Sequence, residues 1–250
     1  MELSIGACAV VCAMVFLAGF VDAIGGGGGL ISLPAYMIVG LPPHTAIATN
    51  KLSSCIGTVF STTRYLKNGC VKLKLVAPTV VLSLLGSFIG AKLCLVVDDR
   101  YLKGVMLVIL PVVALMILFK RDFLESKEEL PFKKQLIITS IASFVIGVYD
   151  GFYGPGTGTF VVLAFTGVAR MNAREASGNA KCVNLASNAA AVVTFLMSGT
   201  IMISLGLLAA VFSILGHYTG SGLVLKNGTR IIKPIIIIVV ILMMIKIIAG

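Results

Sequence analysis

Eight stretches of this chain, 4–24, 45–63, 75–97, 101–119, 135–152, 174–197, 201–223 and 231–249, are mostly apolar and about as long as a membrane is thick. A helix needs roughly 20 apolar residues to cross a hydrocarbon core. In lipid, only structures that satisfy their own backbone groups persist. The first stretch has neither the basic start nor the small-residue cleavage site of a signal peptide, so it reads as a span. Composition agrees. Charged residues make up 12% and apolar residues 58% of the chain, and mean hydropathy is +1.06, where soluble domains carry about 25% charge. A soluble domain, a disordered segment, a nucleic-acid module and a disulfide scaffold are thereby excluded. The formal charge of +10 belongs to loops at the membrane surface. Cys8, Cys12, Cys55, Cys70, Cys94 and Cys182 are scattered without a CxxC pair, and read as small packing residues rather than metal ligands or disulfides.

Two apolar runs, 30–40 and 159–169, are too short to span. Eleven helical residues reach about 16 Å, half the core. Each follows a glycine-rich segment, GGGGG at 25–29 and GPGTG at 154–158, which breaks a helix. Broken backbone at membrane depth is tolerated only inside protein or against a watery cavity. The one long charged stretch, 120–134, divides the chain almost in half.

The halves echo each other. GFVDAI-GGGGG-LISLP at 19–34 matches GVYDGFY-GPGTG-TFVVL at 147–163, with Gly25, Gly27 and Gly29 over Gly154, Gly156 and Gly158 at an offset of 129. Asn50 falls over Asn179 at that offset; YLKNG over FLMSG and GSFIG over GHYTG follow at 130. Loop charge orients the copies. Loops 64–74, 120–134 and 226–233 are basic, whereas 198–204 is uncharged. Placing the basic loops in the cytoplasm puts the equivalent loops 64–74 and 198–204 on opposite faces, so the copies are inverted. The expected fold is an all-α polytopic membrane protein of two inverted repeats, 1–119 and 135–250. They are joined by a cytoplasmic linker, 120–134, and hold about eight full spans plus two short half-helices.

An Asp before a glycine-rich break, a short apolar run and a small-residue helix carrying Asn recur in both halves. GGGGGLISLP, TAIATNKLSS and EASGNAKCVNLASN stand in that order. This combination resembles the sulfite exporter TauE/SafE family over essentially the whole chain. The resemblance implies a transporter of the inner or plasma membrane for sulfur-containing anions such as sulfite or organosulfonates. Pro155 and Thr157 interrupt the second glycine segment, while the first has five consecutive glycines, a departure from equal roles for the two halves.

The residues themselves suggest how an anion is held. A helix starting after a break aims bare N–H groups and a partial positive charge forward. Gly25, Gly27, Gly29, Gly154, Gly156 and Gly158 are therefore candidate binding residues, with close helix packing as the alternative. Small-residue packing is the expectation for Gly86/Gly90 and Gly216/Gly220. Lys181, Asn184 and Asn188 share one helix face, with Asn179 and Ser187 nearby; Asn50, Ser54, Gly57 and Ser61 form a comparable stripe beside Lys51. Asn50, Asn179 and Asn184 either bind the substrate or tie helices together. Lys51 and Lys181 either face the pathway or snorkel to the surface. Asp22 and Asp150, before the breaks, either carry a coupling proton or accept orphan backbone N–H groups. His44 belongs to the turn before its helix, and Arg170 and Arg174 flank the corresponding turn.

GPGTGT lacks the GK[ST] ending of a phosphate loop, and no HExxH or GxSxG signature is present. The expected molecule is no enzyme and has no cofactor, nucleotide or nucleic-acid partner. It sits in the cell membrane and takes a small anionic substrate as its partner beside the lipid bilayer. An anion channel and a non-transporting membrane subunit are the alternatives to a carrier. On this reading Asn179→Leu or Gly156→Leu stops transport without preventing insertion.

Overall fold

The computed structural model describes residues 4–102 and 128–227, whose regular elements are helices. The elements are α1 (Ile5–Gly25), α2 (Gly29–Ile38), α3 (Pro43–Lys67), α4 (Leu73–Val96), α5 (Phe132–Phe152), α6 (Thr157–Leu163), α7 (Ala173–Met197) and α8 (Ile203–Asn227). A π-helical turn, Ala164–Val168, continues α6. The expected spans 101–119 and 231–249 fall almost wholly outside the described residues. The other six expected spans each form a helix, and both short runs form short helices.

Among the described residues, five helices, α1, α4, α5, α7 and α8, are long and apolar enough to cross a membrane. α3 matches α7 in length, at 25 residues, but carries more polar side chains. Those side chains are buried. Thr49, Asn50, Lys51, Ser53, Thr58, Ser61 and Thr62 of α3 are at most 6% exposed, while Val81, Leu85, Phe88 and Ile89 of α4 are 43–54% exposed. Ile137, Ile141 and Val145 of α5 and Leu207, Val211 and Leu215 of α8 are likewise exposed at helical spacing. Apolar surface outside and polar groups inside inverts the usual arrangement of a soluble protein. It suits a lipid solvent, and the chain is a multi-pass membrane protein.

α3 and α7 pack on each other at the centre, with α8 and α1 stacked outside α3 and α4 and α5 outside α7. Glycines let the outer pairs approach closely. A side chain at Gly86 or Gly90 would collide with the α5 backbone at Phe144 and Val148, and one at Gly216 or Gly220 with the α1 backbone at Phe16 and Phe20. The expected packing role of these four glycines is what the fold uses. Ser83 and Ser87 of α4 donate to the Val183 and Ser187 carbonyls of α7, at 3.0 and 2.6 Å. Such bonds fix helix against helix where no water competes.

Candidate functional site: crossed ion pairs at two glycine breaks

Each break follows from its glycines. α1 ends at Gly25, and Gly26 and Gly27 take positive φ values of 79° and 90° before α2 begins at Gly29. In the second break Gly154 and Gly156 adopt φ of 97° and 86°, the left-handed region that favours glycine. The two breaks then cross in direct contact. A Cβ on Gly26 would collide with Gly158 and the Thr159 amide, one on Gly158 would lie 2.8 Å from the Gly26 Cα, and one on Gly29 would lie 3.2 Å from Pro155. Thr159 Oγ1 donates to the Gly25 carbonyl across the junction, at 3.0 Å. Backbone-on-backbone contact by itself requires much of the glycine density.

The aspartates ahead of the breaks meet the lysines of the central helices. Lys51 Nζ lies 2.6 Å from Asp150 Oδ1, and Lys181 Nζ lies 2.7 Å from Asp22 Oδ2 while also donating to the Asp22 carbonyl. Neither lysine reaches a surface: their side chains are 3% and 4% exposed. Pairing compensates for burial that would otherwise be costly. The pairs are crossed, because each lysine contacts the aspartate that lies in the other half of the sequence. Asp22 also accepts from the Gly28 amide at 3.3 Å, so it caps the break as well as pairing with Lys181. Asp150 Oδ2 is buried with no hydrogen-bond partner among the described residues.

Asparagines of α7 join the two pairs. Lys51 Nζ donates to Asn188 Oδ1 at 3.0 Å, Asn188 Nδ2 reaches Asn184 Oδ1 at 3.4 Å, and Asn184 Nδ2 reaches Asp22 Oδ2 at 3.5 Å. The polar face read from the spacing of 181, 184 and 188 is thus one continuous connection between two ion pairs.

This connection borders a polar cavity of about 30 Å³, counted as room for water centres, where roughly 10–15 Å³ holds one water. Of the residues expected at a site, Asp22, Gly27, Gly29, Asn50, Lys51, Gly154, Gly156, Gly158, Asp150 and Asn184 border it. Lys181 meets it through Asp22. Gly25 is held in the junction by Thr159. Asn179 is buried but does not border the cavity, and its Nδ2 bonds to the Glu175 carbonyl one turn back, at 2.7 Å. Sequence reasoning missed His217, Ser213 and Ser32, which line the cavity. A histidine inside the apolar run 201–223 was the available signal.

The residues expected at the turns do other work, and His44 and Arg174 lie in the first turns of α3 and α7 rather than ahead of them. His44 Nδ1 lies 2.5 Å from Asp99 Oδ1 and Nε2 lies 2.9 Å from the Cys94 carbonyl, which ties the start of α3 to the end of α4. Arg174 reaches the Asn68 carbonyl at 3.3 Å and bridges two turns. Arg170 has a positive φ of 53°.

A multi-pass helical protein with two crossed helix breaks around a buried polar cavity has the build of a membrane transporter. The model of the sulfite exporter TauE/SafE family matches residues 11–247, and the chain belongs to that family of membrane transporters. It is 36% identical to a probable membrane transporter protein, ORF9, of a Sinorhizobium species, over 94% of this chain and 90% of the relative. It is 34% identical to the probable membrane transporter protein YfcA of Escherichia coli K12, over 90% and 84%. With a probable membrane transporter protein of Haemophilus influenzae it shares 33% identity, over 98% and 96%. No solved structure matches the chain.

Proposed function

We propose that this chain is a secondary transporter of the cell membrane, exporting small sulfur-containing anions such as sulfite or organosulfonates by alternating access between two inverted halves. The crossed pairs Lys51–Asp150 and Lys181–Asp22 around one cavity carry this reading. Each half ends in a charge that the other must neutralise, so relative movement of the halves exchanges partners at the site.

The packing supports the duplication. α1 against α8 corresponds to α5 against α4, and α3 against α8 corresponds to α7 against α4. α3 and α7 begin at 43 and 173, and α4 and α8 at 73 and 203, an offset of 130 in both of these pairs. In this register the halves are 1–119 and 135–250 around the linker 120–134, with eight full spans and two half-helices.

The chemistry fits an anion that must also leave. With both lysines matched by aspartates, the site is close to neutral. Cargo gains by taking a lysine from its carboxylate, helped by the amides of Asn50, Asn184 and Asn188 and by backbone N–H groups at Gly27 and Gly29. It does not meet an unpaired cation that would hold it permanently. Asp22 and Asp150, each ahead of a break and each paired with a lysine, are then the two candidates for the residue at which a coupling proton acts.

The test is uptake of labelled sulfite and sulfonates by proteoliposomes containing the purified chain. Saturable flux with counterflow is expected; absence of flux and binding across a panel of small anions defeats the proposal. Unitary currents in a planar bilayer would establish a channel instead.

A further inference from the structure

The two ion pairs are not equivalent, and their difference lies in His217. At the 130 offset, the counterpart of His217 is Ser87, which donates to the Ser187 carbonyl at 2.6 Å. His217 is instead buried on the cavity wall, 1% exposed, with Nδ1 3.1 Å from Ser61 Oγ and Nε2 3.9 Å from Asp22 Oδ2. Gly19 and Gly57 leave room for it: a Cβ at either would meet the His217 ring at 3.1 and 2.5 Å. Two helices thus lack side chains where the imidazole sits.

The hydrogen-bond network assigns its tautomer. Ser61 Oγ also reaches the Thr58 carbonyl at 3.2 Å, so its single proton goes there and its lone pair accepts from Nδ1–H. Nε2 then presents a bare lone pair to a carboxylate oxygen. Among the described residues, the charged groups acting on the ring are Asp22 from α1 and Lys181 from α7; α3 offers Ser61 and Gly57, and α8 itself offers Ser213. The gap between Nε2 and Asp22 has an acceptor on either side and a proton on neither.

We propose that His217 and Asp22 together form the proton-binding site that couples transport, and that Lys51–Asp150 is a clasp that does not exchange protons with solvent. This rests on the transporter reading above. One proton entering from solution onto Nε2 makes an imidazolium that pairs with Asp22. That competes with Lys181 for the carboxylate and releases the lysine's charge to the anion. One positive charge is loaded with each anion and both leave on the far side, so the direction of net flux follows the summed anion and proton gradients and export runs where the anion gradient is the larger. The exposures agree: the Asp22 side chain is 13% exposed, that of Asp150 2%.

The experiment uses the full chain in proteoliposomes with methanesulfonate, which stays ionised over the working range, so that the cargo carries no proton itself. Two readings are taken: counterflow exchange at equal pH, and accumulation driven by a pH difference. With one proton per anion, a gradient of one pH unit supports about tenfold accumulation. His217→Gln is expected to abolish gradient-driven accumulation and to leave exchange slower and independent of pH, because the anion must then draw Lys181 from Asp22 with no proton competing for the carboxylate. Calorimetric titration of methanesulfonate into the solubilised chain, in two buffers of different ionisation enthalpy, supplies a measurement independent of flux. It should report about one proton taken up per anion by the unaltered chain and none by the variant. Equal accumulation, or equal proton uptake, by the two proteins overturns the His217 assignment alone. Absence of counterflow and of binding in the unaltered chain overturns the transporter reading, and this inference with it.

Discussion

Lys51 and Asp150 lie 2.6 Å apart in a pair whose side chains are 3% and 2% exposed, joining α3 to the end of α5 across 99 positions of sequence. A buried pair adds little over an apolar replacement, but losing one partner leaves a lone charge and costs about 3–5 kcal/mol. Lys51→Met and Asp150→Leu should therefore each destabilise strongly, and the double variant should recover much of the loss. Thermal unfolding in detergent across the four proteins of the cycle measures the coupling. Additive losses would mean that the pair does not hold the halves together.

The glycine crossing makes a sharper demand on volume. Gly26→Ala places a methyl into Gly158 and the Thr159 amide, both backbone and unable to turn aside. Gly6→Ala in α1 meets only Ser4 Oγ, at 3.9 Å, and by helix propensity is neutral or stabilising by up to about 1 kcal/mol. Unfolding temperature should fall for Gly26→Ala and hold or rise for Gly6→Ala. A Gly26→Ala protein as stable as the parent would show that the breaks do not touch.

Much of this was legible before the structure. Length and hydropathy located the helices, because burial in lipid leaves a long uniform signal. The glycine runs located the breaks, because few other sequences end a helix at that depth. The ion pairs were less accessible. Asp22, Asp150, Lys51 and Lys181 were each visible, but pairing joins residues more than 90 positions apart and leaves no periodicity. Matching Asn50 with Asn179 also set a register of 129 in the central helices. The helix starts, 43 and 173, lie 130 apart; if the halves are copies, that spacing would align Lys51 with Lys181 and Asn179 with Thr49. Asn and Lys occur together in both segments, so sequence similarity alone could not choose between registers one residue apart. Helix geometry could, since one residue turns a side chain by 100°.

That rotation decides which amide serves the site. Asn184 borders the cavity and reaches Asp22 at 3.5 Å, whereas Asn179 turns back onto its own helix at the Glu175 carbonyl. Asn184→Leu should lower anion affinity by roughly tenfold, the worth of about one strong hydrogen bond to a charged group. Asn179→Leu should leave affinity near that of the parent. Binding titrations with methanesulfonate on both variants separate them, and equal losses would place the site on the wrong face of α7.

Thr159 provides the remaining test, because its hydroxyl makes the side-chain hydrogen bond observed between the two breaks. Thr159 is 2% exposed, and Oγ1 donates to the Gly25 carbonyl at 3.0 Å, where the chain of α1 stops being helical. Thr159→Val keeps the shape but presents a methyl to that carbonyl, and a buried acceptor left unsatisfied costs about 1–3 kcal/mol. Thr159→Ser keeps the hydroxyl and loses only a methyl, so it should preserve the junction at a small packing cost. Hydrogen exchange is the measurement, since it reports local opening separately from global unfolding. Amides of residues 26–30 and 157–160 should exchange faster in Thr159→Val, with protection in α4 and α5 unchanged, and Thr159→Ser should resemble the parent. If both segments stay as protected in Thr159→Val as in the parent, the two breaks are held by glycine packing alone. The hydroxyl would then have no part in keeping the cavity's two walls together.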